Sequence, residues 1–239
     1  MMQIESLLSQ LRLQGMSRSW KALQETRKAH DLSLSEGLEL LLQSEINERT
    51  NNRFERLQKQ AKFRYQASME EINTDAARGV DKSLIASLAT GEYLRKGESL
   101  LITGATGCGK SFMASAMGHQ ACAQGYKVAY YNVQKLLMRT KMARIDGTYI
   151  KLFDQLAKTD LLVLDDFGLT HIEGQQQLDL MEMIEDRHGR KSTLIASQLP
   201  IANWYDVIAE ATIADAILDR LLHTSYRIEL KGESLRKKR

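Results

Sequence analysis

The sequence predicts an α/β fold: a P-loop parallel five-stranded sheet with helices on both faces, preceded by a small all-helical N-terminal domain. Three observations carry this expectation. The stretch "GATGCGKS" lies between an apolar run and a helix-forming run. Short apolar segments alternate with amphipathic ones through the second half of the chain, as a sheet with crossover helices requires. Before about residue 66 there is no strand signal, no Pro and only two Gly, and apolar residues recur at helical spacing.

In chain order, Ile4, Leu7, Leu8 and Leu11, then Leu34, Leu38, Leu41, Leu42 and Ile46, form stripes read as the core of a helical domain spanning residues 1–69. Ser35, with Glu39 after it, is expected to cap the second long helix. That helix is expected to run on through "ERTNNRFERLQKQAKFRY". There Arg49, Arg53, Arg56, Lys59, Lys62 and Arg64 form either a solvated face or a contact for DNA phosphates or an acidic partner. Gly79, Gly91 and Gly97 punctuate a transition around a short helix. Strands are expected at residues 100–103, 128–132, 161–165, 193–197 and 226–230, within a second, larger domain covering 70–239.

Composition narrows the function classes. With 43% hydrophobic and 26% charged residues in 239, the chain is of ordinary globular character, and a net charge of +3 points to no partner by itself. No run of about 18 apolar residues occurs, and the start "MMQIESLLSQ" has no signal-peptide pattern, so a cytoplasmic protein with no membrane partner is expected. Cys108 and Cys122 form no CxxC, and His30, His119, His171, His188 and His223 form no ligand spacing, which argues against a disulfide framework and a zinc site.

The chemistry starts at Gly104, Gly109, Lys110 and Ser111, which match GxxxxGK(S/T) in the context that makes the motif meaningful, "SLLITG" before it and a helix after it. Backbone N–H groups from Gly104 through Ala105, Thr106, Gly107, Cys108 and Gly109 would turn around a polyphosphate at a helix N-terminus. Lys110 would reach the β- and γ-phosphates, and the Ser111 hydroxyl would ligate Mg²⁺. Further along, "LLVLDDFG" ends an apolar strand in two carboxylates. Asp165 would hold Mg²⁺ through water, and Asp166 would orient or deprotonate the attacking water. Asp165 to Gly168 also spells DxxG, but no NKxD accompanies it to read guanine, and LSGGQ is absent too. Gln198, after the fourth strand, is either a loop residue before Pro200 or an amide placed between the two key strands. Arg220, in "AILDRLL", is either a surface ion pair with Asp219 or Glu210 or a finger delivered into a neighbouring subunit.

Taken together, "GATGCGKS", "LLVLDDFG", "STLIASQLP", "LDRLLH" and "RIELKGESLR" resemble the AAA+ ATPases of the IstB/DnaC group, and the resemblance is nearest to IstB. It covers almost the whole chain, including the linker "RGVDKSLIASLATGEYLRKGESLLITG". The resemblance implies an ATP-dependent, DNA-binding helper of a transposase that self-associates with ATP, Arg220 acting in trans and Arg236 as a second sensor. Gln198 stands where the group usually places Asn, and three residues after Arg236 leave no room for a helical lid domain. A DnaC-like loader of a replicative helicase is the alternative, and a P-loop small-molecule kinase a remote one without the arginine-rich lid such kinases use.

The segment "NVQKLLMRTKMARIDGTYIK" carries Lys135, Arg139, Lys141, Arg144 and Lys151 against one acid, Asp146, with Leu136, Leu137 and Met138 expected to anchor the helix inward. Lys135, Arg139, Lys141 and Arg144 are the candidate contacts for double-stranded DNA. Contacts to phosphate carry no sequence information and depend on salt.

Overall fold

The computed structural model describes residues 2–26 and 31–235; His30 and Arg236 lie outside them. The described residues divide into two compact units, Met1–Arg56 and Leu57–Arg239, with the division falling inside a long helix. Residues 57–69, grouped by their sequence pattern with the N-terminal part, pack with the second unit.

The first unit is helical. It holds α1 (Met2–Gln10), α2 (Gln14–Glu25) and most of α3 (Leu34–Ala61). Its best-defined tie is Glu45 on α3, which accepts hydrogen bonds from the Gly15 and Met16 N–H groups at 2.8 and 3.2 Å and so satisfies unpaired donors at the start of α2. Gly15 has to be glycine, because a Cβ there would stand 2.4 Å from the Ser44 carbonyl oxygen. Two expectations change. The cap of α3 is Ser33, not Ser35: Ser33 and Glu36 exchange side chain and backbone bonds at 2.8 and 3.3 Å, a reciprocal box at the spacing the helix start requires. The leucine stripe is mostly exposed, with Leu8 buried while Leu7, Leu11, Leu34, Leu38, Leu42 and Ile46 face outward, because three helices of this length enclose little volume.

In the second unit, α4 (Lys82–Ala89) and α5 (Glu92–Lys96) lead into β1 (Ser99–Gly104). The chain continues through α6 (Lys110–Ala123), β2 (Val128–Asn132), α7 (Val133–Ile145), α8 (Tyr149–Ala157), β3 (Leu161–Phe167), α9 (Gln175–Arg187), β4 (Ser192–Ser197), α10 (Trp204–Val207), α11 (Ala211–Leu222) and β5 (Ser225–Leu230). All five expected strands are present, each within one or two residues of its expected bounds. The sheet is parallel throughout, in the order β2-β3-β4-β1-β5. Leu101, Leu162, Leu164 and Ile195 point into the cluster under α7 to α11, while α6 covers the opposite face with Met113, Ala114 and Met117. Burial on both faces is why these strands read as continuous apolar runs.

Two local expectations are corrected. α3 ends at Ala61, and Lys62 takes φ +58, so the basic run does not continue as helix to Arg64. Phe63 turns inward after this break: its ring lies 4.2 Å from His119 and fills the space left by Gly118. On α7, Leu136 and Leu137 are buried but Met138 is 66% exposed, since three consecutive helical positions cannot share one face.

Candidate active site

The strand order assembles the site. β4 lies between β1 and β3, so the loops leaving the C-terminal ends of these strands meet over one edge of the sheet, where open α/β sheets bind ligands. The loop after β1 takes left-handed or extended positive φ at Gly104, Gly107 and Gly109, and a Cβ on Gly104 would stand 2.4 Å from the Leu230 carbonyl oxygen of β5. Lys110, buried at the start of α6, turns its Nζ to the loop itself and donates to the Gly104 and Ala105 carbonyls at 2.7 and 2.8 Å. Leu235 and Arg78 hold the loop from outside, donating to the carbonyls of Gly107 at 3.0 Å and Cys108 at 2.8 Å.

Across β4, the Ser111 hydroxyl donates to Asp165 Oδ1 at 3.0 Å. Asp165 is 1% exposed, and Tyr130 of β2 donates to its Oδ2 at 2.5 Å. Burial, reinforced by the Asp165 charge, pushes the Tyr130 phenol far above its ordinary value, so it remains a donor. Asp166 takes φ +59, a conformation Asp tolerates better than most residues. The register between β3 and β4 slips at this point, Leu164 opposing Ile195 but Phe167 opposing Ser197, so one extra residue enters β3. Regular alternation would aim neighbouring side chains at opposite faces. The bulge instead brings both carboxylates to one guanidinium: Arg64 NH1 donates to Asp165 Oδ2 at 3.1 Å and to Asp166 Oδ2 at 3.0 Å. Asn132, at the end of β2, donates to the same Asp166 oxygen at 2.9 Å.

Gln198 follows β4 between the two halves and accepts from the Thr106 hydroxyl at 2.6 Å. A cavity is lined by Thr106, Lys110, Ser111, Asp166, Gln198 and Arg64. A smaller one beside it is bordered by Ile72, Val80, Phe112, Met113, Leu230 and Leu235. The donors suit a polyphosphate with a hard cation: backbone N–H groups, one lysine, and the hydroxyl and carboxylate oxygens of Ser111 and Asp165, which are close enough to serve one ion. Reading the sequence overlooked Arg64, Tyr130 and Asn132. Nothing local marks them as partners of residues more than thirty positions away, although Arg64 belonged to a basic run already noted.

Arg220 stands elsewhere. It lies near the end of α11, before β5 begins beside the start of β1, and so at the opposite end of the strands from the phosphate loop. Its guanidinium pairs with Glu185 of α9, neither Asp219 nor Glu210, and NH1 donates to the Ala216 carbonyl at 2.8 Å. The basic helix α7 is also partly committed. Arg144 donates to the buried Asp179 carboxylate at 2.5 Å and lies 3.8 Å over the Tyr149 ring, whereas Arg139 bonds the Tyr131 hydroxyl at 3.0 Å, and Lys135 and Lys141 are exposed. Among the described residues no helix is long and apolar enough to cross a membrane.

The chain is similar to known proteins along most of its length. Residues 6–239 match the family described as IstB-like ATP binding protein. The insertion sequence ATP-binding protein y4pL of Sinorhizobium fredii is 40% identical over 230 residues, covering 96% of this chain and 94% of that protein. The ATP-binding protein of insertion sequence IS1162 from Pseudomonas fluorescens is 45% identical over 196 residues, 82% of this chain and 85% of its own length. Among solved structures, the DnaC helicase loader superposes with a TM-score of 0.58 at 17% identity, over 69% of this chain and 97% of that one. DnaA from Aquifex aeolicus, bound to AMPPCP, superposes with a TM-score of 0.58 at 19% identity, over 70% and 50%. At these identities the two structures speak to the fold alone.

Proposed function

We propose that this chain, which belongs to the IstB-like ATP-binding protein family, binds double-stranded DNA, self-assembles with ATP, hydrolyses that ATP and assists a transposase in DNA transposition. The chain is an ATPase of this family. What carries the reading is the meeting of Lys110, Ser111, Asp165 and Asp166 at one sheet edge, with Ser111 Oγ 3.0 Å from Asp165 Oδ1. The loop N–H groups and Lys110, once turned from the Gly104 and Ala105 carbonyls, would bind the β- and γ-phosphates. Ile72, Val80, Met113 and Leu230 offer an apolar slot for the base. Ser111 and Asp165 would hold Mg²⁺, which would supply neutralisation of charge on the phosphate oxygens. Asp166 would accept a proton from, or orient, the water attacking the γ-phosphate, and Gln198 would sense that phosphate through the Thr106 edge of the loop.

Two features support action in an assembly. Arg220 lies too far along the strands from its own phosphate loop to touch it, which suits delivery to a neighbouring copy. Lys135 and Lys141, exposed on α7 beside the nucleotide edge, suit sequence-independent contact with DNA phosphates. ATP turnover measured over a range of protein concentrations, with and without duplex DNA and with the proposed transposase partner, tests the whole. Turnover should rise with concentration and with DNA, and the transposase should co-purify in ATP. Turnover that is independent of both concentration and DNA, with a small metabolite as phosphate acceptor, would overturn the proposal.

A further inference from the structure

The two acids that the proposed reaction needs are not open to it in this conformation. Asp165 Oδ2 accepts from Arg64 and Tyr130, Asp165 Oδ1 from Ser111 and the Asp166 N–H, and Asp166 Oδ2 from Arg64 and Asn132. Two adjacent carboxylates at the end of a buried strand need a cation, and the cation here belongs to the chain. Arg64 reaches them because the segment before it is fixed from behind. Gln58 donates to His119 Nδ1 at 2.7 Å, and His119 Nε2 lies 3.1 Å from the Tyr65 carbonyl, which can only accept, so Nε2 carries the proton. Burial lowers the His119 basicity more than that bond raises it, which keeps the ring neutral and this arrangement intact. Phe63 is seated against Gly118 and His119. The Arg64 side chain is less confined, 41% exposed and bordering the cavity that is also lined by Lys110 and Ser111.

We propose that Arg64 is a built-in countercation of the Asp165–Asp166 pair and must leave it when a divalent cation enters with the nucleotide. Loading of the site is thereby reported to the segment 62–66, which continues from α3. The inference rests on the ATP-site reading above. Its physical basis is competition: a divalent ion held by Ser111 and Asp165 and a guanidinium on the other oxygen of Asp165 repel at short range, and the same carboxylates cannot satisfy both at full strength. Release has somewhere to go, since the adjoining cavity is where the phosphate chain would lie, and Arg binds phosphate as readily as carboxylate.

The test is a Mg²⁺ titration of fluorescent-nucleotide binding, with a non-hydrolysable ATP analogue, on the full chain and on Arg64→Gln and Arg64→Lys. Removing the charge should lower the half-saturating Mg²⁺ concentration roughly 5- to 10-fold, the low end of ordinary coupling between two ligands. Lys keeps the charge and should stay within about 2-fold of wild type on that scale. Amide exchange in residues 62–66 of wild type should quicken with analogue plus Mg²⁺ but not with analogue plus chelator. An unchanged or higher Mg²⁺ midpoint in Arg64→Gln, a Lys variant as low as the Gln variant, or exchange indifferent to loading would each overturn the proposal while leaving nucleotide binding in place. Wild type that binds the analogue neither with nor without Mg²⁺ would overturn the ATP-site reading itself, and this inference with it.

Discussion

At Lys110 and Asp166 one side chain separates binding from chemistry. Lys110 is the phosphate loop's own ammonium group, and its present partners are carbonyls that phosphates would outcompete. Lys110→Ala should therefore weaken ATP binding about 100-fold or more, the scale of two lost charge-assisted bonds, as read by calorimetry; affinity within a few-fold of wild type would refute the assignment. Asp166→Asn keeps the size and tolerates the same left-handed backbone, so the loop geometry should survive. It removes the proton acceptor. Binding should hold while turnover falls roughly 10²-fold or more, and wild-type turnover in that variant would remove Asp166 from the role of acting on water.

Between elements, the tie most exposed to test is the one joining α7 to α9. Burial alone would raise the Asp179 carboxyl, but hydrogen bonds from Arg144, Thr140 and Gln175, with the Arg144 charge, outweigh it and hold the group below the ordinary carboxylate range. A depressed folded pKa contributes stability that is present above the unfolded value, near 4, and is lost as pH falls through the folded value. Arg144→Ala leaves a buried carboxylate without its cation. Thermal unfolding should show the variant melting several degrees below wild type at pH 7, with the gap closing below about pH 4; a gap that is constant with pH would mean the pair is not the cause. Because Arg144 carries this structural load, the DNA proposal is better tested elsewhere on the same helix.

For the molecule as a whole, the predictions concern copies and partners. Arg220→Ala should bind ATP yet turn it over 10³–10⁵-fold more slowly, the range arginine fingers show in some phosphoryl-transfer systems. Mixing these subunits with Lys110→Ala subunits should restore part of the activity, since each supplies what the other lacks. No recovery in the mixture would show that Arg220 does not act across an interface. Lys135→Glu combined with Lys141→Glu should weaken duplex binding and flatten its salt dependence, by about 0.9 in log–log slope for each DNA phosphate that is no longer neutralised, with ATP affinity unchanged. An unaltered slope would move the DNA-binding face to another surface.

By itself the sequence determined the phosphate loop, the paired acids, the five strands and the family resemblance, because these are local: glycine conformations, strand burial and helix starts are written in neighbouring residues. Long-range partners are not, and the folded chain decided them. The αL turn at Asp166 and the bulge between β3 and β4 brought two successive acids to one side, against the period of a strand. The break after Ala61 carried Arg64 out of its basic helix and onto those acids, and the stacking of α7 on α9 set the exposed Arg144 against the buried Asp179 carboxylate. In each case a charged group found its opposite across a distance in sequence that no spacing rule spans, because an unpaired charge beside a buried strand or a packed helix costs more than the backbone distortion that lets it pair.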